Sequence, residues 1–280
     1  MAATPTQRRR IISKILRPVH PKQVLIDRII GRISPSWKAQ LLWAQQNGDR
    51  PGKAVVDAVV RRGDVAVDLG ANVGLYTDRL ARLVGIEGRV YAFEPHPLFE
   101  KALKRIAGRR KNVVCIQKAV SSEASTNARM AVPVLADGPD YAMGTLEERG
   151  PAQTVRVATT TLDIALHGVT PVRFIKCDVE GHEHEVLTGA QDVLKRERPI
   201  LFIEIEQRHR QRPLEETFDL LQHLGYDGYM MTPGGPRPLA EFDVERDQWA
   251  LIAADPTQAR PPSSYVNDFL FLSRGSPLPI

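Results

Sequence analysis

At 280 residues, with 42% hydrophobic and 25% charged residues, the chain can bury a full α/β core and has the composition of a soluble protein. It holds no run near the roughly 18 apolar residues of a membrane span. Two cysteines, Cys115 and Cys177, supply neither a disulfide framework nor a metal quartet, so a reducing compartment, the cytoplasm, is expected. The net charge of +5 is lopsided: residues 1–62 carry 13 Lys and Arg against 3 Asp and Glu, and the rest of the chain carries 25 against 30.

The first 20 residues contain Pro5 and Pro18 and are too charged around Arg8 to Arg17 for a secretory core. Residues 22–33 and 36–47 have apolar side chains at helical spacing, and a short helix runs from Gly52 to Arg61. Residues 1–62 are therefore expected to form a basic helical arm or cap. That arm suits contact with an anionic surface, or serves as a solvated face packed on the body. From residue 63 to the C-terminus one domain is expected, in which strands and helices alternate.

Val65 to Val67 open a buried strand, and Leu75 to Val84 a helix. Arg89 to Glu94 is the second strand, stopped by Pro95 and Pro97, and Leu98 to Ile106 its helix. Asn112 to Ala119 is the third strand. Residues 121–160 break the rhythm as an irregular insertion, with strands at Arg129 to Val134 and Thr154 to Ala158. Val172 to Cys177, Pro199 to Ile205, Tyr226 to Met231 and Asp268 to Leu272 complete the sheet. Helices are expected at Glu183 to Arg196 and Leu214 to Leu224, and a loop over 233–263. This rhythm predicts a mostly parallel, doubly wound sheet, with ligands bound beyond the carboxyl ends of its strands. Asp68, Glu94, Ala119, Asp178 and Glu204 stand at or near those ends.

The turn Gly70-Ala71-Asn72-Val73-Gly74 joins the first strand to a helix, a place where backbone N–H groups can face a ligand. It lacks the third position of the G-x-G-x-x-G fingerprint. Asp68, two residues before the first glycine, would repel a pyrophosphate but attract the cationic end of S-adenosyl-L-methionine. Glu94 can accept hydrogen bonds from ribose hydroxyls, a role common to dinucleotides and S-adenosylmethionine.

Val67 to Gly74, Ala92-Phe93-Glu94-Pro95 and Phe174 to Glu183 arrive in order and together resemble the FkbM-type methyltransferases over about residues 63–206. The resemblance implies a Rossmann-like class I methyltransferase using S-adenosyl-L-methionine, usually on a hydroxyl. It implies that Asp68, Gly70, Asn72 and Gly74 form the cofactor loop, that Glu94 holds the ribose and that Ala119 lies at the adenine.

Removing the proton of an alcohol nucleophile calls for a base. The candidates lie in and near the cluster that begins at Asp178: Asp178 itself, which could also orient the cofactor's amine, Glu180, His182 and, on the next strand, Glu204. No metal is expected, because His182 and His184 are two residues apart on a helix and point to different sides. Tyr141 and Met143 are candidate acceptor-pocket residues, and Lys176 is expected to pair with a strand-end carboxylate. The expected activity is O-methylation of a sugar, glycan or natural-product hydroxyl, with no stable nucleic-acid partner. The alternatives are N-methylation of a small molecule, an NAD-dependent oxidoreductase, or a non-catalytic nucleic-acid-binding protein on the same fold.

Overall fold

The computed structural model describes residues 50–135, 138–147, 152–252 and 264–279. The helices expected at 22–33 and 36–47, and most of the basic arm, lie outside the described residues. The helix α1 (Arg50–Val59) leads into the sheet and falls in the same compact unit, Asn47–Ile280.

Eight strands make the main sheet. In space they run β3 (Val113–Ile116), β2 (Arg89–Phe93), β1 (Val65–Leu69), β8 (Val172–Cys177), β9 (Ile200–Glu204), β12 (Asp268–Ser273), β10 (Tyr226–Thr232) and β11 (Gly235–Pro238). The five strands from β3 to β9 are parallel, and the remaining three add antiparallel at one edge. The central strands read as short unbroken apolar runs because helices cover both faces of a parallel sheet. Val67, Phe93, Phe174 and Leu201 are all buried. The chain steps from β1 to β2 on one side and returns at β8 on the other, so the strand order reverses between β1 and β8. The adjoining loops part there and leave a crevice above the strand ends.

The helix α2 (Leu75–Val84) follows Gly74, and α3 (Pro97–Arg109) follows β2 with proline in its first turn. The interval 121–160 is more regular than its sequence suggests. β5 (Ser125–Leu135) and β7 (Ala152–Thr160) pair antiparallel and, with β4 (Ala119–Val120) and β6 (Gly138–Pro139), build a second, four-stranded sheet. Its small apolar core is Met130, Val132 and Val157. The expected third strand therefore splits, its first half pairing with β2 and its end, from Ala119, joining β7. A short helix, α4 (Leu162–Ala165), then leads from β7 back toward the main sheet.

Two further expectations are corrected. The single helix from Glu183 to Arg196 is two, α5 (Glu183–Thr188) and α6 (Gln191–Glu197). They part at Gly189, where a Cβ would lie 2.1 Å from the Ser121 carbonyl oxygen, so the backbones touch and the chain steps aside. The helix expected from Leu214 forms as α7 (Glu215–His223). The described part of the 233–263 loop contains β11 and a short helix, α8 (Val244–Asp247). Phe242, just before that helix, packs edge-on against Phe218 and Phe269. Among the described residues no helix is long and apolar enough to cross a membrane.

Candidate cofactor and acceptor site

The turn after β1 is folded around its own hydrogen bonds. Gly70 and Ala71 both donate to the Phe93 carbonyl at the end of β2 (3.1 and 3.0 Å), and Gly74 donates to the Ala71 carbonyl at 2.8 Å. Asn72 N–H donates to Glu94 Oε2 at 2.8 Å, and Val73 N–H donates to Asn72 Oδ1 at 2.7 Å. All five N–H groups of the turn are thereby used within the chain. This corrects the expectation that the turn offers backbone donors to a ligand. A pyrophosphate needs such donors, and this turn has none to give.

Gly70 is required by both conformation and space: its φ is +75° and a Cβ there would lie 1.8 Å from the Asp178 carbonyl oxygen. The ends of β1 and β8 close on each other at that point, with Asp178 N–H donating to the Leu69 carbonyl at 3.1 Å. Gly74 answers a different need. Its absent Cβ makes room for Leu103 and Ile106 of α3, so it is a packing glycine.

A cleft of about 650 Å³, a volume that includes open solvent, lies over the strand ends. It brings together Gly70, Asn72, Glu94, Ala119, Asp178, Glu180 and His182 from the expected set. Tyr141 joins them from a 3-10 turn that follows β6, whereas Met143 of the same turn is absent from the lining. Lys118, His96 and Phe99, which the motifs do not single out, also form the wall.

Three expected residues lie elsewhere. Asp68 is fully buried behind the turn, where Oδ2 accepts from the Thr77 hydroxyl at 2.6 Å. Burial raises its carboxyl above the ordinary range, opposed by nearby Lys176. Thr77 sits in the first turn of α2, so Asp68 serves the start of that helix. Gly74 packs as described. Glu204 opens on a second, smaller cavity shared with Asp178, Glu180, Glu206 and His209. There burial and then the neighbouring Asp178 push its carboxyl well up.

Glu94 has both oxygens engaged by the backbone, since Oε1 accepts from His96 N–H at 2.8 Å. Its pKa is pushed up to about 7 by burial, against those two N–H groups. An acceptor-only carboxylate keeps further lone pairs for hydroxyl donors. Lys176 pairs with Asp178 Oδ2 at 2.9 Å, as its sequence position suggests. Burial works against its charge, but Asp178 and Asp68 outweigh that and raise its pKa.

Glu180 borders both cavities. Its φ is +58°, a left-handed conformation rare for a glutamate, and Gly181 beside it packs against the His209 carbonyl. His209 Nδ1 lies 2.7 Å from Glu180 Oε2. Burial raises the Glu180 carboxyl, with His209 pulling the other way. His209 follows β9 in a 3-10 turn and carries no motif, so nothing in the sequence points to it. His182, by contrast, is engaged at both nitrogens, Nε2 with Ser121 Oγ (2.9 Å) and Nδ1 with Glu147 Oε1 (2.7 Å). Glu147, His182 and Glu185 also have donor atoms within 4.8 Å of one another, a grouping that the His182–His184 spacing does not reveal.

Residues 68–229 match the sequence model of the family described as the methyltransferase FkbM domain. One curated relative, the 31-O-demethyl-FK506 methyltransferase FkbM of Streptomyces tacrolimicus, is 28% identical over 166 residues, which are 48% of this chain and 62% of the relative. Among solved structures, the methyltransferase FkbM of Methylobacillus flagellatus KT superposes with a TM-score of 0.45 at 16% identity, over 78% of this chain and 50% of that one. The fibrillarin of Aeropyrum pernix, solved with natively bound S-adenosyl-L-methionine, gives a TM-score of 0.43 at 12% identity, over 81% of this chain and 76% of its own. The chain thus spans about half to two thirds of the length of its FkbM relatives. With the family's model matching more than half of its residues, the chain belongs to the FkbM methyltransferase domain family.

Proposed function

We propose that the protein is an S-adenosyl-L-methionine-dependent O-methyltransferase acting on a hydroxyl of a sugar, glycan or natural product. The observation that carries the cofactor assignment is the turn from Gly70 to Gly74, whose N–H groups are all spent internally, beside a cleft edged by Glu94, Asp178 and Glu180. A wall with three carboxylates and no turn donors disfavours a dinucleotide pyrophosphate and suits a cationic nucleoside. The residues fit: Glu94 for the ribose hydroxyls, Gly70 and Asn72 for close approach, Ala119 for the base, and Asp178 for the amino end. When bound, the cofactor supplies an electrophilic methyl group.

The chain's own part is to position and to take a proton. Of the four candidate bases, His182 is held at both nitrogens, Asp178 is paired to Lys176, and Glu204 opens on the second cavity. Glu180 remains at the rim of the main cleft, and a carboxyl that burial raises above the ordinary range gives a stronger base than an ordinary carboxylate. In this reading the Glu180 carboxylate takes the proton of the acceptor hydroxyl, and His209 orients it. The hydroxyl acceptor is further supported by the relative from S. tacrolimicus, whose name gives 31-O-demethyl-FK506 as its substrate. The two free cysteines suit a cytoplasmic enzyme.

Calorimetry with S-adenosylhomocysteine and with NAD tests the cofactor, and binding of NAD alone would overturn the assignment. Mass spectrometry of a panel of hydroxyl and amine acceptors then tests the chemistry. Methylation confined to amines would replace O- by N-methylation.

A further inference from the structure

His182 stands between two carboxylates that reach it from different parts of the chain. It immediately precedes α5, and Glu185 lies three positions on, in the first turn of that helix. Residues three apart share a helix face, and Glu185 Oε2 comes to 3.7 Å from His182 Nδ1. Arg212 meets Glu185 through the other oxygen, Oε1, at 3.8 Å, which leaves Oε2 turned to the imidazole. Glu147 arrives from the insertion. Thr145 exchanges backbone hydrogen bonds with Ala131 of β5 (2.7 and 2.9 Å), and Glu147 N–H donates to Thr145 Oγ1 at 3.1 Å. Held to the second sheet in this way, Glu147 Oε1 reaches the same His182 Nδ1 at 2.7 Å.

The three side chains offer one imidazole nitrogen and two carboxylate oxygens, all within 4.8 Å of one another. A tetrahedral ion with bonds of about 2.0–2.2 Å sets its ligand atoms about 3.4 Å apart, and the two separations at Nδ1 straddle that value. The far side of the ring is arranged for the same task. For Nδ1 to ligate a metal, the ring proton must sit on Nε2, and Ser121 Oγ lies 2.9 Å from Nε2, placed to accept it. Ser121 is buried, so this outer contact is sheltered from water. An imidazole with two carboxylates suits zinc, whereas magnesium prefers an octahedron of oxygens. We propose that Glu147, His182 and Glu185 form a Zn²⁺ site at the edge of the main cleft, whose lining includes His182 and Leu146. The ion clamps the insertion to α5, and three protein ligands leave its fourth position for water or a ligand oxygen. The site stands on these contacts alone and goes beyond the methyltransferase reading.

The test titrates ZnCl₂, and separately MgCl₂, into the full chain after EDTA treatment and return to chelator-free buffer, with calorimetry as the readout. The wild-type protein should bind one equivalent of Zn²⁺ with a Kd on the order of 1 μM or tighter, and Mg²⁺ at least about tenfold more weakly. Glu147→Gln and Glu185→Gln keep the side-chain shape and remove a charged ligand, and each should weaken Zn²⁺ by at least about tenfold. Ser121→Ala, which removes only the outer contact, should weaken it by about 10- to 100-fold. Zn²⁺ should also raise the Tm of the wild type and leave that of the two Gln variants unmoved. The two glutamates lie on separate segments, so if one variant does not fold, by circular dichroism, the other still decides. A wild-type protein that binds no Zn²⁺, or Zn²⁺ affinity unchanged in the folded Gln variants, would overturn the site. Equal affinity for Mg²⁺ would overturn its assignment to zinc. None of these outcomes depends on whether the protein binds S-adenosylhomocysteine, so the site and the cofactor reading can fail separately.

Discussion

Glu94 offers the sharpest physical test. Its carboxyl titrates near 7 in the folded protein against 4.5 for the free side chain, because burial penalises the charge more than two backbone N–H groups stabilise it. Folding therefore favours the protonated form. Below about 4.5 both states are protonated and nothing is lost. Between 4.5 and 7 stability falls as pH rises, and above 7 the full cost of roughly 3 kcal/mol is present, since each tenfold change in proton affinity corresponds to about 1.36 kcal/mol. Glu94→Gln removes the titration. Its amide can accept from only one of the Asn72 and His96 N–H groups, a loss of about 1–3 kcal/mol that does not depend on pH. Urea unfolding at pH 5 and pH 8 should show the wild type losing about 2–3 kcal/mol relative to the variant over that interval. Parallel pH profiles would refute the reasoning. If ribose hydroxyls donate to the ionised carboxylate, wild-type affinity for S-adenosylhomocysteine should also rise with pH up to about 7 and then level off.

Gly70→Ala should cost about 2–5 kcal/mol, combining left-handed strain with forced separation of β1 from the Asp178 carbonyl. Thermal denaturation should show a fall of at least about 5 °C, and a shift under about 2 °C would refute the close contact. Glu180→Gln should lower turnover about 10²- to 10⁴-fold while S-adenosylhomocysteine affinity stays within about threefold. Turnover at the wild-type level would remove Glu180 from the chemistry. Because burial raises its carboxyl, the acid limb of the wild-type kcat profile should fall above the pH range of an ordinary glutamate.

Several features were legible because they are local. A parallel strand covered on both faces must be an apolar run, which exposed Val65 to Val67 and Val172 to Cys177. A turn at positive φ must be glycine at its tightest point, which exposed Gly70. Glu94, Asp178 and Glu180 follow such strands within the ordered motifs, which places them near the crevice, and the cleft is lined by all three. The insertion was harder to read. β5 and β7 find their partners across a long, sequence-distant return, and their alternation is weak because the second sheet buries only a small core.

The sequence by itself thus determined the doubly wound sheet, its switch point and the family, since these follow from short-range periodicity, glycine conformation and three ordered motifs. The tertiary structure alone decided which side chains reach the cleft. Asp68 and Gly74 lie within the motif yet turn to a helix start and a helix contact, whereas His96 and His209 carry no motif and stand at the walls. The reason is geometric. Spacing along the chain places a residue at a strand end, but the direction of its side chain is set by the hydrogen bonds and close contacts of segments far away in sequence.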